Sequence, residues 1–376
     1  MAKKQYNGFI SFLLCIAFVV VGFAVGAVGL FYYKSYTEIS KITVYSTGSI
    51  SFHFLELGNE NTGDCTYIKA GDVDILIDAG SNYSSIPVIT EYINKQISDK
   101  KLEYVIVTHA HKDHYAGFAT NASTESILDM YEIGTIIDFS QTEKGKQDTA
   151  MYKNYERELA EAVARGANHY TAFDCINGNN GATNLFTFNN GVEMKILNQR
   201  YYSEQSDNEN NHSVCTLFTH GNKNFLLTGD LDKEGEESLV ALNSLPKCVL
   251  YKAGHHGSKT SSNEILLEKI QPEICAVCCC CGNVEYTQNL DNTFPTQDFI
   301  NRISKYTQNV YVTTLGPIKF DEEKQKYVNN GYTSMNGNIV VTSSSSTTSV
   351  ECSNNNTLLK DTEWFKQYRV CPSYWK

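Results

Sequence analysis

Apolar and polar positions follow two different periods along most of the chain. Short apolar runs with period-two alternation predict β-strands at "SISFHFLEL", "CTYIKA", "VDILIDAG" and "KLEYVIVT". Apolar residues at helical spacing predict helices at "SIPVITEYINKQI" and "DTAMYKNYERELAEAVARG". A second series follows, with strands at "VCTLFTH", "NFLLTGD", "KCVLYKAG" and "EICAVCC" and helices at "KEGEESLVAL", "SSNEILLEKI" and "PTQDFINRI". Strands interleaved with helices predict a layered α/β architecture.

The first part of the chain has a different pattern. Residues 9–33 carry no charge, and about 20 apolar residues are enough to cross the hydrocarbon core of a bilayer. Lys3 and Lys4 precede this run, which favours a cytoplasmic amino terminus and a domain outside the cytoplasm. A cleaved signal peptide is the alternative, although its apolar region is normally about 7–15 residues long. The sequence therefore predicts a single-pass anchor in the cell membrane at residues 1–34, followed by a linker at 35–48.

From the remaining sequence we expect one α/β domain at residues 49–320 and a strand and loop extension at 321–376 that packs on it. Within the extension, the polar run at 342–357 predicts a turn or loop between late strands. The run "CAVCCCC" at 275–281 contains two CxxC spacings, but a structural zinc site normally needs a second pair of ligands. We therefore expect a buried strand in which the thiols act as small apolar side chains.

The net charge of the chain limits the classes of ligand that it can bind. The 42 acidic and 31 basic residues give a formal net charge of −11. An extended footprint on DNA or RNA needs clustered Lys and Arg, so the overall charge disfavours tight binding of a long polyanion.

Four side chains of the metal-ligating types follow the fourth predicted strand, in the stretch "VIVTHAHKDHYAGF". In an extended backbone alternate side chains share a face, so His109 and His111 can hold one ion. Asp113 and His114 are neighbours and diverge, so they can address a second ion. Imidazole and carboxylate ligands suit Zn²⁺, with Mn²⁺ and Fe²⁺ as alternatives.

Two later strands end in the same kind of side chain. "NFLLTGD" ends on Asp230, and "VLYKAGHHGS" presents His255 and His256 at a glycine-marked turn. Taken alone, each of these motifs is typical of a turn, a helix cap or a surface loop. Together with the first cluster they form a set of strand-end ligands, which predicts a metal site at one edge of the fold.

These motifs resemble those of the metallo-β-lactamase-fold hydrolases. "THAHKDH" is similar to their HxHxDH motif, Asp78 to the acidic residue that ends an early strand, and "LLTGD" to the strand that ends in a metal-bridging aspartate. "LLTGD" and "HHGSKTSS" most resemble the hydrolase domain of ComEC-type competence proteins and related extracellular phosphoesterases, including phosphorylcholine esterases. The resemblance covers residues 49–314 and implies a four-layered αββα fold.

The resemblance also implies a role for each motif residue. His109 and His111 would hold the first of two divalent ions. Asp113, His114 and His256 would hold the second ion, and Asp113 would also be a catalytic residue. Asp230 would bridge the two ions. His255 would be a second ligand or a proton donor. Asp64 and Asp78 would hydrogen-bond ligand histidines, and we expect Lys259 to meet a substrate phosphate.

The sequence departs from the superfamily pattern at two places. A further histidine usually stands between HxHxDH and the bridging aspartate, where this chain reads "NENNHSVCTLF". Either His212 supplies this metal ligand, or Asn210 or Asn211 stands at the site. ComEC-like chains often have His-Pro before the last helix, whereas this chain has Phe294-Pro295, which removes a candidate general acid.

The implied function is a membrane-anchored metallo-hydrolase that uses a hydroxide shared by two metal ions, acting as a phosphodiesterase or nuclease. Its expected partners are the membrane and a phosphoester, such as a nucleotide or single-stranded nucleic acid. No protein partner follows from the sequence. The alternatives are a phosphorylcholine esterase, another ester or lactam hydrolase, and a binding protein without catalysis, which the complete set of motifs disfavours.

Overall fold

The computed structural model describes residues 48–120 and 124–376. The predicted anchor at 1–34 and all but the last residue of the predicted linker lie outside these ranges. Among the described residues, no helix combines the length and the apolar character needed to span a bilayer.

The described strands are, in chain order, β1 (Ser49–Phe54), β2 (Thr66–Ala70), β3 (Val73–Ile77), β4 (Lys101–Ile106), β5 (Glu132–Asp138), β6 (Asn168–Thr171), β7 (Leu185–Thr187), β8 (Val192–Ile196), β9 (Thr216–His220), β10 (Lys223–Leu227), β11 (Leu250–Lys252), β12 (Ile274–Cys281), β13 (Val310–Leu315), β14 (Ile318–Asp321), β15 (Lys326–Asn329), β16 (Thr333–Ser334), β17 (Ile339–Ser344) and β18 (Thr348–Cys352). The described α-helices are α1 (Ile86–Ile93), α2 (Lys112–Tyr115), α3 (Ile127–Met130), α4 (Ala150–Ala164), α5 (Ala172–Asn177), α6 (Lys233–Leu242), α7 (Glu264–Ile270), α8 (Gln297–Ile303) and α9 (Glu363–Tyr368).

The strands form two large sheets with similar internal organisation. The first has the order β18-β17-β1-β2-β3-β4-β5-β6, and the second has the order β16-β13-β12-β11-β10-β9-β8-β7. In each sheet an antiparallel part adjoins a parallel part, which is β3 to β6 in the first sheet and β10 to β13 in the second. The carboxyl ends of parallel strands share one edge of a sheet, so the motifs that follow β3, β4, β10 and β11 lie at such edges.

The two sheets pack against each other through aromatic side chains. Phe52 of β1 contacts Phe218 of β9 and Phe225 of β10, with ring centroids 5.4 and 4.8 Å apart. β12 is buried on both faces, so that its successive side chains point alternately into two different cores. Cys278 belongs to the core between the sheets, whereas Cys279 faces the cluster that includes the apolar residues of α7 and α8. The prediction of a mixed α/β fold is confirmed.

The cysteine-rich run forms a buried strand, as expected from its sequence. Every residue of β12 is buried, and its thiols form no disulfide. Burial raises the pKa of Cys275, Cys278 and Cys280 above the ordinary value for a thiol, so these groups stay protonated and apolar.

The polar run at 342–357 contains more regular structure than its composition predicts. Instead of a simple loop, it contributes to β17 and β18, which extend the first sheet beyond β1. Alternate residues of β17 are buried, so Thr and Ser occupy the period-two pattern of a half-buried strand. The predicted turn lies between these two late strands, but the residues around it are strands because β1 supplies a hydrogen-bonding edge that composition does not reveal.

Candidate metal centre

Close approach of three strand-end segments builds the site. The main-chain N–H of Asp64 donates to the carbonyl oxygen of Asp113 at 2.9 Å, and that of Gly80 donates to the carbonyl oxygen of Asp64 at 3.0 Å. A Cβ atom at Gly80 would lie 1.7 Å from the carbonyl oxygen of Asp113. Only glycine allows this contact, because any side chain at 80 would displace the HxHxDH segment.

The deeper half of the site contains Asp113, His114, Asp230 and His256. Oδ2 of Asp230 lies 3.0 Å from Nε2 of His114 and 3.2 Å from Nε2 of His256. Nε2 of His256 lies 3.3 Å from Oδ2 of Asp113. His114, Asp230 and His256 are buried, and Asp113 is partly exposed at the rim. Two carboxylate oxygens and two imidazole nitrogens therefore meet at one point.

Each histidine of the deeper half is oriented by its other ring nitrogen. Nδ1 of His114 lies 2.8 Å from Oδ2 of Asp78, and Nδ1 of His256 lies 2.8 Å from the carbonyl oxygen of Cys278. Because a carboxylate and a carbonyl accept hydrogen bonds, these contacts keep a proton on Nδ1 and leave Nε2 as the nitrogen that a metal ion would bind. Both Nε2 atoms are buried without a hydrogen-bond partner. They face the carboxylates of Asp113 and Asp230.

Backbone strain supports the same arrangement. Asp78, His255 and His256 have φ angles of 59°, 46° and 55°, in the left-handed region that residues with a side chain rarely adopt. Such residues cost about 1–3 kcal/mol each and cluster at functional sites.

The outer half of the site contains His109 and His111. Nε2 of His109 lies 3.0 Å from Nδ1 of His111, so the two rings turn one nitrogen each toward a common point. Nδ1 of His109 lies 3.1 Å from Oγ1 of Thr108 and 3.4 Å from Oγ of Ser213, which are hydroxyl groups rather than carboxylates. His109 is buried, whereas His111 is half-buried. The segment is held by Glu209, whose carboxylate accepts from the main-chain N–H between the two histidines at 2.8 Å.

A buried ion pair lies behind the deeper half. The ammonium group of Lys252 contacts Asp64 and lies 3.8 Å from Oδ1 of Asp230, and both side chains of the Lys252–Asp64 pair are about 2–3% exposed. Oδ1 of Asp64 lies 3.2 Å from Nδ1 of His256. Lys252 interrupts the apolar run that precedes "HHGS", which was a usable signal that the sequence reasoning missed. Four carboxylates, those of Asp64, Asp78, Asp113 and Asp230, thus surround one lysine and two histidines.

The electrostatics of the two halves differ. Burial lowers the pKa of His114, but the carboxylates of Asp230 and Asp78 outweigh burial and raise that pKa well above its ordinary value. The pKa of His256 rises for the same reason, through Asp230 and Asp64. By contrast, burial and the neighbouring His114 lower the pKa of His109 well below its ordinary value. The deeper half attracts positive charge, and the outer half offers neutral imidazole.

The residues present fit divalent metal ions. Nitrogen and oxygen ligands bonded to one ion at about 2.0–2.2 Å lie about 3.0–3.5 Å apart, and the deeper half shows separations of 3.0–3.3 Å between its ligand atoms. The Nε2 atoms of His114 and His256 have no hydrogen-bond partner. The four carboxylates named above also carry more negative charge than the nearby cationic groups balance. A tight group of buried ligand atoms from Asp64, His114, Asp230 and His256 overlaps this set, with Asp64 in place of Asp113. This donor set suits divalent metal ions.

His255 lies beside the ligands, and Asp232 orients it. Nδ1 of His255 lies 3.2 Å from Oδ1 of Asp232 and 3.1 Å from Oγ1 of Thr260. Although burial raises the pKa of Asp232, the hydrogen bond with His255 outweighs it and lowers that pKa to about 2. Asp232 stands two residues after Asp230, and the sequence reasoning missed its role. Lys259, farther along the loop, is exposed and donates to Oδ1 of Asn292 at 3.4 Å.

The structure does not bring His212 to the ligand cluster. Its Nδ1 lies 3.1 Å from the carbonyl oxygen of Tyr201, and its Nε2 lies 3.3 Å from that of Ser206. Both ring nitrogens therefore face main-chain acceptors, which leaves neither directed at the other ligands, because a turn at Glu209–His212 points the ring away. Of the two asparagine alternatives, Asn210 contacts the loop that carries His255 and His256, here called the histidine loop. Its Nδ2 lies 3.2 Å from Nδ1 of His255.

Comparison with known proteins agrees with this geometry. Residues 58–144, which span the Gly-Asp, Asp78 and HxHxDH segments, match the family model described as the metallo-beta-lactamase superfamily. Over these residues the chain is similar to that superfamily. The expectation drawn from its motifs is thereby confirmed.

The curated relatives include a recombination protein, a ComE operon protein and a competence protein by name. The chain is 27% identical over 219 residues to Recombination protein 2 of Haemophilus influenzae, which covers 57% of this chain and 23% of the relative. It is 26% identical over 179 residues to ComE operon protein 3 of Bacillus subtilis, covering 46% and 19%. It is 41% identical over 86 residues to Competence protein ComA of Neisseria gonorrhoeae, covering 22% and 12%. The chain thus spans less than a quarter of these relatives, whose names agree with the expected ComEC-type resemblance.

The solved structures that match this chain have low sequence identity and low TM-scores. The metallo-beta-lactamase fold protein YhfI from Bacillus subtilis has 11% identity and a TM-score of 0.38, covering 70% of this chain and 95% of its own. Human tRNase Z, short form, has 13% identity and a TM-score of 0.32, covering 70% and 91%.

Proposed function

We propose that this protein is a metal-dependent phosphodiesterase that acts on small or single-stranded substrates. The observation that carries the proposal is the convergence of Nε2 of His114, Nε2 of His256 and the Oδ2 atoms of Asp113 and Asp230, beside a second pair of ring nitrogens. Two such groups of ligands, one deep and one near the surface, suit a centre with two metal ions.

The ligand types assign the expected ions to residues. Asp113, His114, Asp230 and His256 would hold one ion, and His109 and His111 would hold the other together with Asp230. Zn²⁺ is the first expectation for imidazole and carboxylate ligands, with Mn²⁺ and Fe²⁺ as alternatives. Such ions supply positive charge that makes water a nucleophile near neutral pH and offsets negative charge on the reacting phosphoryl group.

The protein's own side chains supply proton transfer and binding. His255 is positioned by Asp232 through Nδ1, so its Nε2 can hold the proton that the departing alkoxide needs. Phe294 replaces the histidine that ComEC-like chains often carry before the last helix, so His255 takes on this role here. Lys259 lies exposed on the same loop and would bind a non-reacting phosphate oxygen as a point charge.

Two observations favour a phosphodiester over a lactam or thioester. The "HHGSKTSS" loop places Lys259 close in sequence to His255 and His256, and a cation suits an anionic substrate better than a neutral one. One relative is named as a recombination protein, and recombination acts on nucleic acid, a phosphodiester polymer. The net charge of −11 limits the interaction to short or single-stranded substrates.

The uncharged run at residues 9–33 supports a location at the cell membrane, with the domain outside the cytoplasm. Protease added to intact cells should remove the domain, and the cell-associated fragment should remain in the membrane fraction. Quantitative recovery of the protein from the cytosol or the medium would contradict the anchor, and a domain protected in intact cells would reverse its orientation.

The activity can be tested with the full-length protein loaded with Zn²⁺ or Mn²⁺. Bis-p-nitrophenyl phosphate should be hydrolysed, and the rate should fall to background after chelation and return after metal is added back. Asp230→Asn should abolish turnover, whereas Asp138→Asn, which alters another strand-end aspartate outside the cluster, should retain it. Hydrolysis of lactams or thioesters but not of phosphodiesters would overturn the proposal. Phosphorylcholine release that free choline competes, and added salt leaves unchanged, would instead identify a phosphorylcholine esterase.

A further inference from the structure

An aromatic side chain that the sequence did not single out stands at the mouth of the metal centre. Tyr286 follows β12, and its hydroxyl group donates a hydrogen bond to Oδ2 of Asp113 at 2.9 Å. Although its hydroxyl reaches a ligand carboxylate, Tyr286 is 55% exposed. A large ring fixed at its tip and open on its face is a ready contact surface for another molecule.

Phe294 continues this surface toward the histidine loop. Its ring centroid lies 5.9 Å from that of Tyr286, 5.8 Å from that of His255 and 5.8 Å from that of His256. Phe294 is half-buried. Tyr286 and Phe294, here called the aromatic wall, therefore form one continuous surface from the rim carboxylate of Asp113 to the late histidines.

The aromatic wall is held from two sides. Glu285, next to Tyr286, accepts from Nδ2 of Asn61 at 2.9 Å and from the main-chain N–H of Thr62 at 2.8 Å. At the other end, the guanidinium group of Arg369 donates to the carbonyl oxygens of Thr293 and Pro295 at 2.7 and 3.0 Å. A contact surface fixed in advance loses little conformational freedom when a ligand binds.

We propose that the aromatic wall sets substrate specificity by stacking on a nucleobase attached to the phosphodiester. This inference rests on the proposed phosphodiesterase function. Stacking is electrically neutral, so it gives affinity in a protein whose overall charge opposes long polyanions. A quaternary ammonium group is normally surrounded by several aromatic faces, whereas this surface extends along one side, which favours a flat ligand.

The test compares three esters that share a p-nitrophenolate leaving group, which are the thymidine 5′, methyl and phosphorylcholine esters. The full-length protein is prepared as the wild type, Tyr286→Phe, Tyr286→Leu and Phe294→Leu. Tyr374→Leu serves as the control, because Tyr374 is a 65% exposed tyrosine in the carboxyl-terminal segment. Metal content and thermal unfolding are measured for each variant, so that loss of metal or of fold is not mistaken for loss of stacking.

Tyr286→Leu should raise KM for the thymidine ester by about 10- to 100-fold, the range typical of one lost base-stacking contact, and should change KM for the methyl ester little. Phe294→Leu should act in the same direction, and Tyr286→Phe should keep most of the preference because it keeps the ring. Equal losses for the thymidine and methyl esters would overturn the inference, as would losses confined to the phosphorylcholine ester.

A binding measurement keeps the inference separate from the proposed function. If the wild-type protein hydrolyses none of the esters with any metal, the phosphodiesterase proposal fails. Calorimetric titration with thymidine 5′-monophosphate then decides the stacking. Binding that Tyr286→Leu weakens and Tyr374→Leu preserves would support the aromatic wall, and absence of binding, or equal binding by all variants, would overturn it.

Discussion

The two halves of the metal centre use the same ligand types but are supported differently. In the deeper half, charged or carbonyl oxygens hold Nδ1 of both histidines, and carboxylates face their Nε2 atoms. In the outer half, hydroxyl groups hold His109, and His111 is half-buried. A carboxylate partner fixes the tautomer and makes the imidazole a stronger base, whereas a hydroxyl can donate or accept. From this difference we expect the deeper half to be the more strongly preorganised of the two, although both use the same types of ligand.

The largest effect should come from the buried ion pair behind the deeper half. Lys252→Met removes the cation beside Asp64 and leaves an unpaired buried carboxylate, which should cost about 3–5 kcal/mol of unfolding free energy. Bound metal should recover part of this loss, because it supplies positive charge to the same carboxylates. Chemical denaturation with and without chelator measures both quantities.

Lys69→Met is the matched control for this variant. Lys69 pairs with Asp74 at 2.6 Å, but it is 18% exposed and lies in β2, outside the metal centre. Its loss should cost less, and metal should not restore it. If Lys252→Met were as stable as the wild type in chelator, the charge balance described for the deeper half would be wrong.

The second effect concerns the carboxylate that orients His114. Asp78→Asn keeps the shape of the side chain but removes the negative charge that holds the proton on Nδ1. Metal affinity of the deeper half should fall by about 10- to 100-fold, as is typical for partners of ligand histidines. Glu209→Gln, which removes the charge of the carboxylate that holds the main chain between His109 and His111, should weaken only the outer half, and by less. Competition with a chromogenic chelator gives the affinities, and equal effects of the two variants would remove the distinction between the halves.

The smallest effect uses an aspartate–histidine pair outside the centre as a reference. Asp138 ends β5, and its Oδ1 lies 2.9 Å from Nε2 of His169. Burial lowers the pKa of His169, but the hydrogen bond with Asp138 outweighs it and raises that pKa. A histidine with a raised folded-state pKa stabilises the protein below its unfolded pKa of about 6.5, and the contribution disappears as the pH rises through the folded value.

His169→Gln should therefore cost up to about 1 kcal/mol at pH 5.5 and almost nothing at pH 8.5, since the pair is partly exposed. Addition of metal should not change this dependence, unlike the behaviour of the deeper half. Denaturation curves at the two pH values, with and without metal, provide the measurement. A larger loss at pH 8.5 than at 5.5 would contradict the assigned direction.

Sequence reasoning singled out most of the side chains that the structure brings together, because they follow apolar strands. His109 and Asp230 come shortly after the ends of β4 and β10, and Asp113, His114 and His256 follow in the segments after β4 and β11. Parallel strands bring their carboxyl ends to one edge. The residue types of the deeper half could therefore be predicted from the sequence, whereas their distances and orientations could not.

The supporting residues were harder to predict because their contacts join distant parts of the chain. Tyr286 reaches Asp113 across 173 positions, and Glu209 reaches the main chain at Ala110 across 99. No local pattern marks either residue. His212 shows the opposite failure, since its residue type suits a ligand but the turn that carries it directs both ring nitrogens to main-chain carbonyls.

The claim that the deeper half is the preorganised site can be tested most directly by metal titration of single-ligand variants. Metal-free wild type, His114→Ala and His109→Ala are titrated with Zn²⁺ in competition with a chelator, and stoichiometry is checked by elemental analysis. The wild type should show two affinities, His109→Ala should keep the tighter one, and His114→Ala should lose it. If His109→Ala loses the tighter site while His114→Ala keeps it, or if the wild type binds no metal, the account of the centre is wrong.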